Sequence, residues 1–383
     1  EEISRQYKVS LSRQTYEEYF ARIKSGDPSK LVVIIDEAQF VAKRDTSFME
    51  AVAKLKKHKL YPGPVLIILA TSSTVWATQE ASEQFKGAEM KLESLNFLEV
   101  VRHFESLPVA EIVRIYGAIG GVPAYLDKWD AAKSFKENIC RLVLTPSGAL
   151  YGEADAVISS ELRELSAYST ILAAIARGEN KLNDIFHATG FSRAKISVYL
   201  KNLATFNIVE KVVSFETGGW ENAKKGVYQI KDTFVNFWFK FVYPNMSNLY
   251  LLSPEEFYDT YIEKELDAYL ERYFREVCTE YLLILNQMGQ LPFTIKRVGT
   301  WIGKTGRIDI VAQSEDRRSI IGFCNWDKPM MTMDMCENMA MAMDQARLTS
   351  DDYYLFSATD FEPALQSYVV RDPRFKLINM NEL

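Results

Sequence analysis

The chain has 383 residues, 48% hydrophobic and 25% charged, with a formal net charge of −6. That is enough apolar material for several cores, and two to four domains are expected. The acidic balance excludes a molecule drawn as a whole to nucleic acid, so any DNA contact needs a local basic patch. Four cysteines without a CxxC pair and only three histidines argue against a structural zinc site and fit a reducing cytoplasm. The longest apolar runs are far short of a membrane span, so no membrane partner is expected. No signal peptide is evident, and the first residue is Glu1 rather than Met, so a natural start upstream is expected.

In chain order, residues 12–24 read as a helix, and LVVIIDEAQF, from Leu31 to Phe40, as a buried strand ending in two acids. An amphipathic helix, SFMEAVAKLKKHKL, and a second aliphatic strand, VLIILATSS, follow. Strand, helix and strand with both strands uniformly aliphatic predict a parallel sheet covered on both faces. Residues 96–150 read as helical, interrupted by GAIGGVPAYL. Three helical patterns over residues 166–205 precede two strands, IVEKVVSFET and GVYQIKDTF, which is the pattern of a winged helix. An aromatic-rich helical stretch over 246–285 leads to strands near TIKRVG, RIDIVAQ and SIIGFCNW. A Met-rich helix, the strand DYYLFSA, and a last helix and strand complete the chain.

The first acidic pair carries chemistry. A strand that ends in adjacent carboxylates can hold Mg²⁺ through Asp36 and align water through Glu37, as a Walker B strand does. Thr71, Ser72 and Ser73, at the end of the second strand, suit a sensor of the γ-phosphate. Such a site needs a phosphate-cradling GxxxxGK[ST] loop. The only GKT, Gly303-Lys304-Thr305, has the wrong spacing and precedes a strand rather than a helix, so it reads as a hairpin turn. The cradle is therefore expected before Glu1, and ATP binding with Mg²⁺ is expected only of a chain that includes it.

IIDEAQF, the ILATSS strand, YGAIGGVPAYLDKWD, YSTILAAIARGENKL, ISVYLKNLATFNIVEK and YQIKDTFVNFWFKFVYPN together resemble the archaeal-type ATPases, a STAND-like branch of the P-loop ATPases. The resemblance covers most of the chain. It implies an α/β architecture: part of a P-loop core over 1–100, a helical lid over 101–155, a winged helix over 156–245, and a PD-(D/E)XK nuclease-like domain over 246–383. A Gly-Arg pattern of that family stands here as Gly87-Ala88, which puts vigorous hydrolysis in question.

In the winged helix, Ser192 is placed to cap a helix carrying Arg193, Lys195 and Lys201, and the wing carries Lys224 and Lys225. These are the candidate nucleic-acid contacts. Between Tyr168 and Asp232 there are nine Lys/Arg against six Asp/Glu, a surplus of three, and lids or protein-contact modules share this shape. Ile196, Tyr199, Leu200 and Leu203 have the spacing of core residues.

A PD-(D/E)XK site needs an acid on a first helix, an Asp on one strand and Glu-x-Lys on the next. Asp309 fills the strand position, but Phe323 stands for the Glu, Asn325 for the Lys, and Arg275 for the helix acid, with Glu276 beside it. The expectation is a catalytically dead nuclease-like fold. A displaced site using Asp309, Asp327 and Lys328 is the lesser alternative. The run from Met330 to Met343 suits Cu(I) by softness, but it reads chiefly as a packing helix partly open to a partner. Two functions remain: an ATP-dependent switch, or a non-catalytic, DNA-associated or protein-interaction module.

Overall fold

The computed structural model describes residues 15–21, 30–57, 63–73, 75–159, 162, 164–215, 226–303 and 306–383. Contacts divide the chain into two units, Glu1–Leu92 and Glu93–Leu383. The architecture is mixed α/β.

In the first unit, helix α1 (Tyr16–Ala21) precedes β1 (Leu31–Ile35), α2 (Ala38–Arg44), α3 (Thr46–Lys56) and β2 (Val65–Leu69). The two strands are parallel, in register from Leu31–Val65 to Ile35–Leu69. Backbone bonds continue past the strands: Ala70 N donates to Ile35 O at 2.9 Å and Ala38 N to Ala70 O at 3.0 Å. They hold residues 36–39 beside 70–73. Asp45 caps α3 by accepting from Ser47 N at 3.0 Å, which stops α2 and starts the next helix at once. Phe48, Val52 and Leu55 of α3 pack with Phe20, Leu31 and Trp76.

The expected cover on both faces is found on one. Val32, Ile34, Leu66 and Ile68 point the other way and are 55%, 67%, 57% and 43% exposed. An aliphatic strand needs two apolar layers, and among the described residues only one is supplied.

The second unit begins with helices α4 (Phe97–His103) and α5 (Val109–Ile119). The GGVP stretch that follows has two distinct steric demands. Gly120 adopts φ +69° as it ends α5. Gly121 lies so close to residue 95 that a Cβ would sit 1.8 Å from Leu95 O. Leu95 N donates to Gly121 O at 2.8 Å across this contact.

Three helices follow in the predicted order, α6 (Leu165–Ala176), α7 (Leu182–Thr189) and α8 (Arg193–Thr205). Behind them β3 (Val209–Val213) pairs antiparallel with β4 (Gly226–Ile230). Ser192 caps α8 through Lys195 N, and Ile196, Tyr199, Leu200 and Leu203 are buried.

The aromatic segment then goes inside. Phe234, Phe237, Trp238, Phe239 and Phe241 are fully buried. They pack in the same core as α5 and the 25-residue α9 (Glu263–Gln287). Gly117 of α5 faces Leu270 and Tyr273 of α9, and Tyr269 Oη donates to Gly117 O at 3.0 Å. Asn236 Nδ2 reaches Tyr273 Oη at 2.8 Å. At the start of α4, the Glu280 carboxylate accepts from Phe97 N and Leu98 N at 3.0 and 3.1 Å. Residues 101–155 thus share one core with the segments on either side of the β3–β4 pair.

The last layer is a five-stranded sheet. Strands β5 (Arg297–Ile302), β6 (Arg307–Gln313) and β7 (Ser319–Asn325) are antiparallel, and β8 (Asp352–Ser357) and β9 (Phe375–Asn379) join parallel, in the spatial order β9-β8-β7-β6-β5. Gly303 N donates to Gly306 O at 2.9 Å, closing a β5–β6 hairpin where the GKT stands. Lys304 and Thr305 lie outside the described residues. Helix α9 lies on one face of the sheet, and α10 (Met333–Ala346) on the other through Met339, Ala342 and Met343. One extra residue of β6 is accommodated between the Gly299–Val311 and Trp301–Ile308 pairs, and Asp309 sits there. Bulges of this kind re-aim a side chain.

Candidate functional site

In the first unit, Glu37 and Ser72 meet. One Glu37 oxygen, Oε2, accepts from Ser72 N at 3.1 Å, Ser72 Oγ at 2.9 Å and Gln39 Nε2 at 2.5 Å. The amide of Gln39 and then the backbone N–H of Ser72 hold the Glu37 carboxyl below its ordinary range. Glu37 pays for this pose with φ 47° and ψ 43°, a left-handed conformation uncommon outside glycine. Its own N–H donates to Asp36 Oδ1 at 3.0 Å, which leaves Asp36 exposed at the strand end.

Gln39 was not legible as a site residue, yet it connects the group. It is buried, donates also to Ser72 Oγ at 3.2 Å, and accepts from Thr71 Oγ1 at 2.6 Å. A glutamine two residues after the acids, where the helix turns inward, was the available signal. Buried amides need such partners.

Of the candidate nucleic-acid contacts, Arg193 donates to Asn183 Oδ1 at 2.7 Å and lies 4.2 Å above the Phe186 ring. Lys195 lies over Phe191 and Tyr199 at 4.4 and 5.3 Å. Lys201 is exposed on α8. Lys224 and Lys225 lie outside the described residues.

The nuclease-like positions gather at one cavity of about 600 Å³, beneath the bulge of β6. Asp309 is buried there and its Oδ2 accepts from Cys324 N at 3.1 Å. Its other oxygen faces two guanidiniums, Arg307 Nε at 3.3 Å and Arg275 Nε at 3.6 Å. Burial pushes the Asp309 carboxyl up, and Arg275 and then Arg307 oppose that shift. Glu276 turns away to pair with Arg272 at 2.8 Å. Phe323 packs among the apolar residues beneath α10. Asp327 and Lys328 line the same cavity, paired at 2.7 Å. Cys324 lines the cavity with Cys278 behind it, and burial pushes both thiols up.

Asn325, at the position expected to correspond to the Lys of a PD-(D/E)XK site, is a hydrogen-bonding hub. Its Nδ2 donates to Ser357 Oγ at 3.0 Å, Thr359 Oγ1 at 3.2 Å and Lys328 O at 3.2 Å, while its Oδ1 accepts from Lys328 N at 3.2 Å. Asn325→Ala removes these four bonds from a buried side chain, though Ser357 and Thr359 keep bonds of their own, and is expected to cost roughly 1–3 kcal/mol. Chemical denaturation monitored by circular dichroism checks it; an unchanged midpoint excludes the anchoring role.

Among the described residues, no three His, Cys, Asp or Glu side chains cluster as a metal site, and no helix is long and apolar enough to cross a membrane.

Residues 238–341 match the DUF234 family, described as archaeal and bacterial proteins of unknown function. The match opens in the buried aromatic segment and contains most of the cavity wall. The chain is 27% identical over 326 residues to the uncharacterized protein MJECL04 of Methanocaldococcus jannaschii, covering 83% of this chain and 71% of that protein. A solved structure, protein VC1899 from Vibrio cholerae, aligns over 97% of this chain and 93% of that one at 12% identity with a TM-score of 0.22, a likeness too slight to transfer a fold. The chain is thus similar to the DUF234 family over this one segment and, over most of its length, to an uncharacterized archaeal protein.

Proposed function

We propose that the protein is an ATP-driven switch of the archaeal-type ATPase kind, in which residues 31–73 supply the acidic and sensing half of the nucleotide site. The observation that carries this reading is the grip of Ser72 on Glu37 at the ends of two adjacent parallel strands. Asp36 offers one exposed hard-oxygen ligand, which fits Mg²⁺ held by one or two carboxylates plus phosphate oxygens. Bound ATP with Mg²⁺ supplies the transferable phosphoryl group and neutralises its charge. Asp36 would hold the ion, Glu37 would orient water, and Ser72 would report what fills the site through the bond it shares with Glu37. The reading needs a phosphate-binding loop, which residues 1–383 do not spell. The same reading takes the cavity beneath the β6 bulge as inactive in nuclease chemistry, because guanidiniums face Asp309 where a cation would sit.

The test is made on the complete gene product. ATP hydrolysis that requires Mg²⁺ is expected, and Asp36→Asn is expected to weaken Mg²⁺-dependent nucleotide binding at least tenfold, about 1.4 kcal/mol. A complete product without a phosphate-binding loop, or binding indifferent to Asp36→Asn, excludes the switch.

A further inference from the structure

The cavity beneath the β6 bulge has donors that the fold does not use. Arg275 Nε is buried without a hydrogen-bond partner. The ion pairs of Arg275 with Asp309 and Glu271 are both 3.6 Å long, beyond hydrogen-bond reach. Arg307 approaches the same Asp309 oxygen at 3.3 Å. Each guanidinium carries five N–H donors, so one carboxylate oxygen between two of them leaves most of the fork open. Asp309 therefore stands between the two arginines and orients them by charge, and its single negative charge leaves the three groups one positive charge.

The lining holds three cationic groups, Arg275, Arg307 and Lys328, against Glu271, Asp309 and Asp327. Lys328 is paired with Asp327, and Glu271 and Arg307 are both half-exposed, so an anion would be held by the open guanidinium donors and not by net charge. Above the arginines, Phe323 and the α10 residues Met335 and Met341 give an apolar wall. The volume lies in the range of small-molecule sites. Paired guanidiniums match the oxygens of a phosphate, and Met with Phe suits a flat ring.

We propose that this cavity binds the phosphate group of a nucleotide without a metal ion, with Arg275 and Arg307 as the ligating residues and Asp309 as the positioning residue. The guanidiniums stand where a nuclease-like site would hold its cation, and they convert a cation seat into an anion seat. The phosphate can arrive on a free mononucleotide or on the end of a strand; both present the same group.

Isothermal titration calorimetry on the full chain in EDTA and low salt tests this, with three probes: inorganic phosphate, a 5′-mononucleotide, and a single-stranded oligonucleotide with or without a 5′ phosphate. Saturable binding of a phosphate-bearing probe is expected, unchanged by added Mg²⁺. Preference for the mononucleotide assigns a free ligand, and preference for the 5′-phosphorylated strand over the 5′-hydroxyl strand assigns a strand end. Arg307→Ala removes a half-exposed side chain and is expected to weaken binding about tenfold or more, the worth of one charge-assisted contact. Arg275→Lys keeps the charge, loses the fork and should weaken binding similarly. These variants also separate the cavity from any nucleotide held near Asp36, which they leave intact. No binding by any probe, binding that requires Mg²⁺, or unchanged affinity in folded Arg307→Ala overturns the proposal.

Discussion

Glu37→Gln in the complete gene product is expected to retain ATP binding and lose turnover by about 10²–10⁴-fold, the usual contribution of a positioned acid–base group. Glutamine keeps the shape, and its oxygen can still accept from Ser72 N and Ser72 Oγ, so the strand ends stay together. What disappears is the anionic oxygen that aligns water. Steady-state hydrolysis alongside nucleotide titration separates the two effects, and turnover equal to the parent excludes Glu37 from the reaction.

The same substitution has an acid-side signature. Bonds from Gln39 and Ser72 lower the folded-state pKa of Glu37. A depressed carboxylate stabilises the fold above its unfolded pKa, near 4.3. That stabilisation fades as pH falls through the lower folded value. Glu37→Gln should therefore flatten the loss of stability below about pH 4, leaving the neutral range unchanged in slope.

Periodicity made much of this molecule readable. The aliphatic runs at Leu31–Ile35 and Val65–Leu69 are the parallel strands, and the 3.6-residue spacing of Ile196, Tyr199, Leu200 and Leu203 is the buried face of α8. The replacements at Arg275, Phe323 and Asn325 were visible as departures from a pattern. What they do was not visible. That Arg275 leans on Asp309, that Glu276 turns to Arg272, and that Asn325 ties β7 to residues 357–359 are contacts across the fold. Local spacing cannot report them. The sequence likewise placed Arg193 and Lys195 on a helix as candidate DNA contacts, but it did not show that these exposed side chains also lie on Phe186 and Phe191. Aromatic neighbours draw cations in ways a net charge does not show.

The second large effect lies at Gly121. A β-carbon there would meet Leu95 O at 1.8 Å and Leu95 C at 2.8 Å, and both are backbone atoms that no rotamer change can move aside. Gly121→Ala must separate the two chain segments, and so also breaks the 2.8 Å bond from Leu95 N to Gly121 O. Overpacking of about 1–3 kcal/mol and a lost buried bond of about 1 kcal/mol give roughly 2–4 kcal/mol. In a unit of this size that corresponds to a fall in Tm on the order of 5–15 °C. Two controls isolate the cause. At Gly117 the nearest atom is Leu270 Cδ2, the flexible end of a side chain, so Gly117→Ala should cost less. Gly152 faces nothing within 4 Å, and Gly152→Ala should be close to neutral. Thermal unfolding of the three variants orders them Gly121, Gly117, Gly152 from most to least damaging. A Gly121→Ala protein as stable as Gly152→Ala would mean that residues 95 and 121 are not held together, and with them the entry to α4 that Glu280 caps from the long helix.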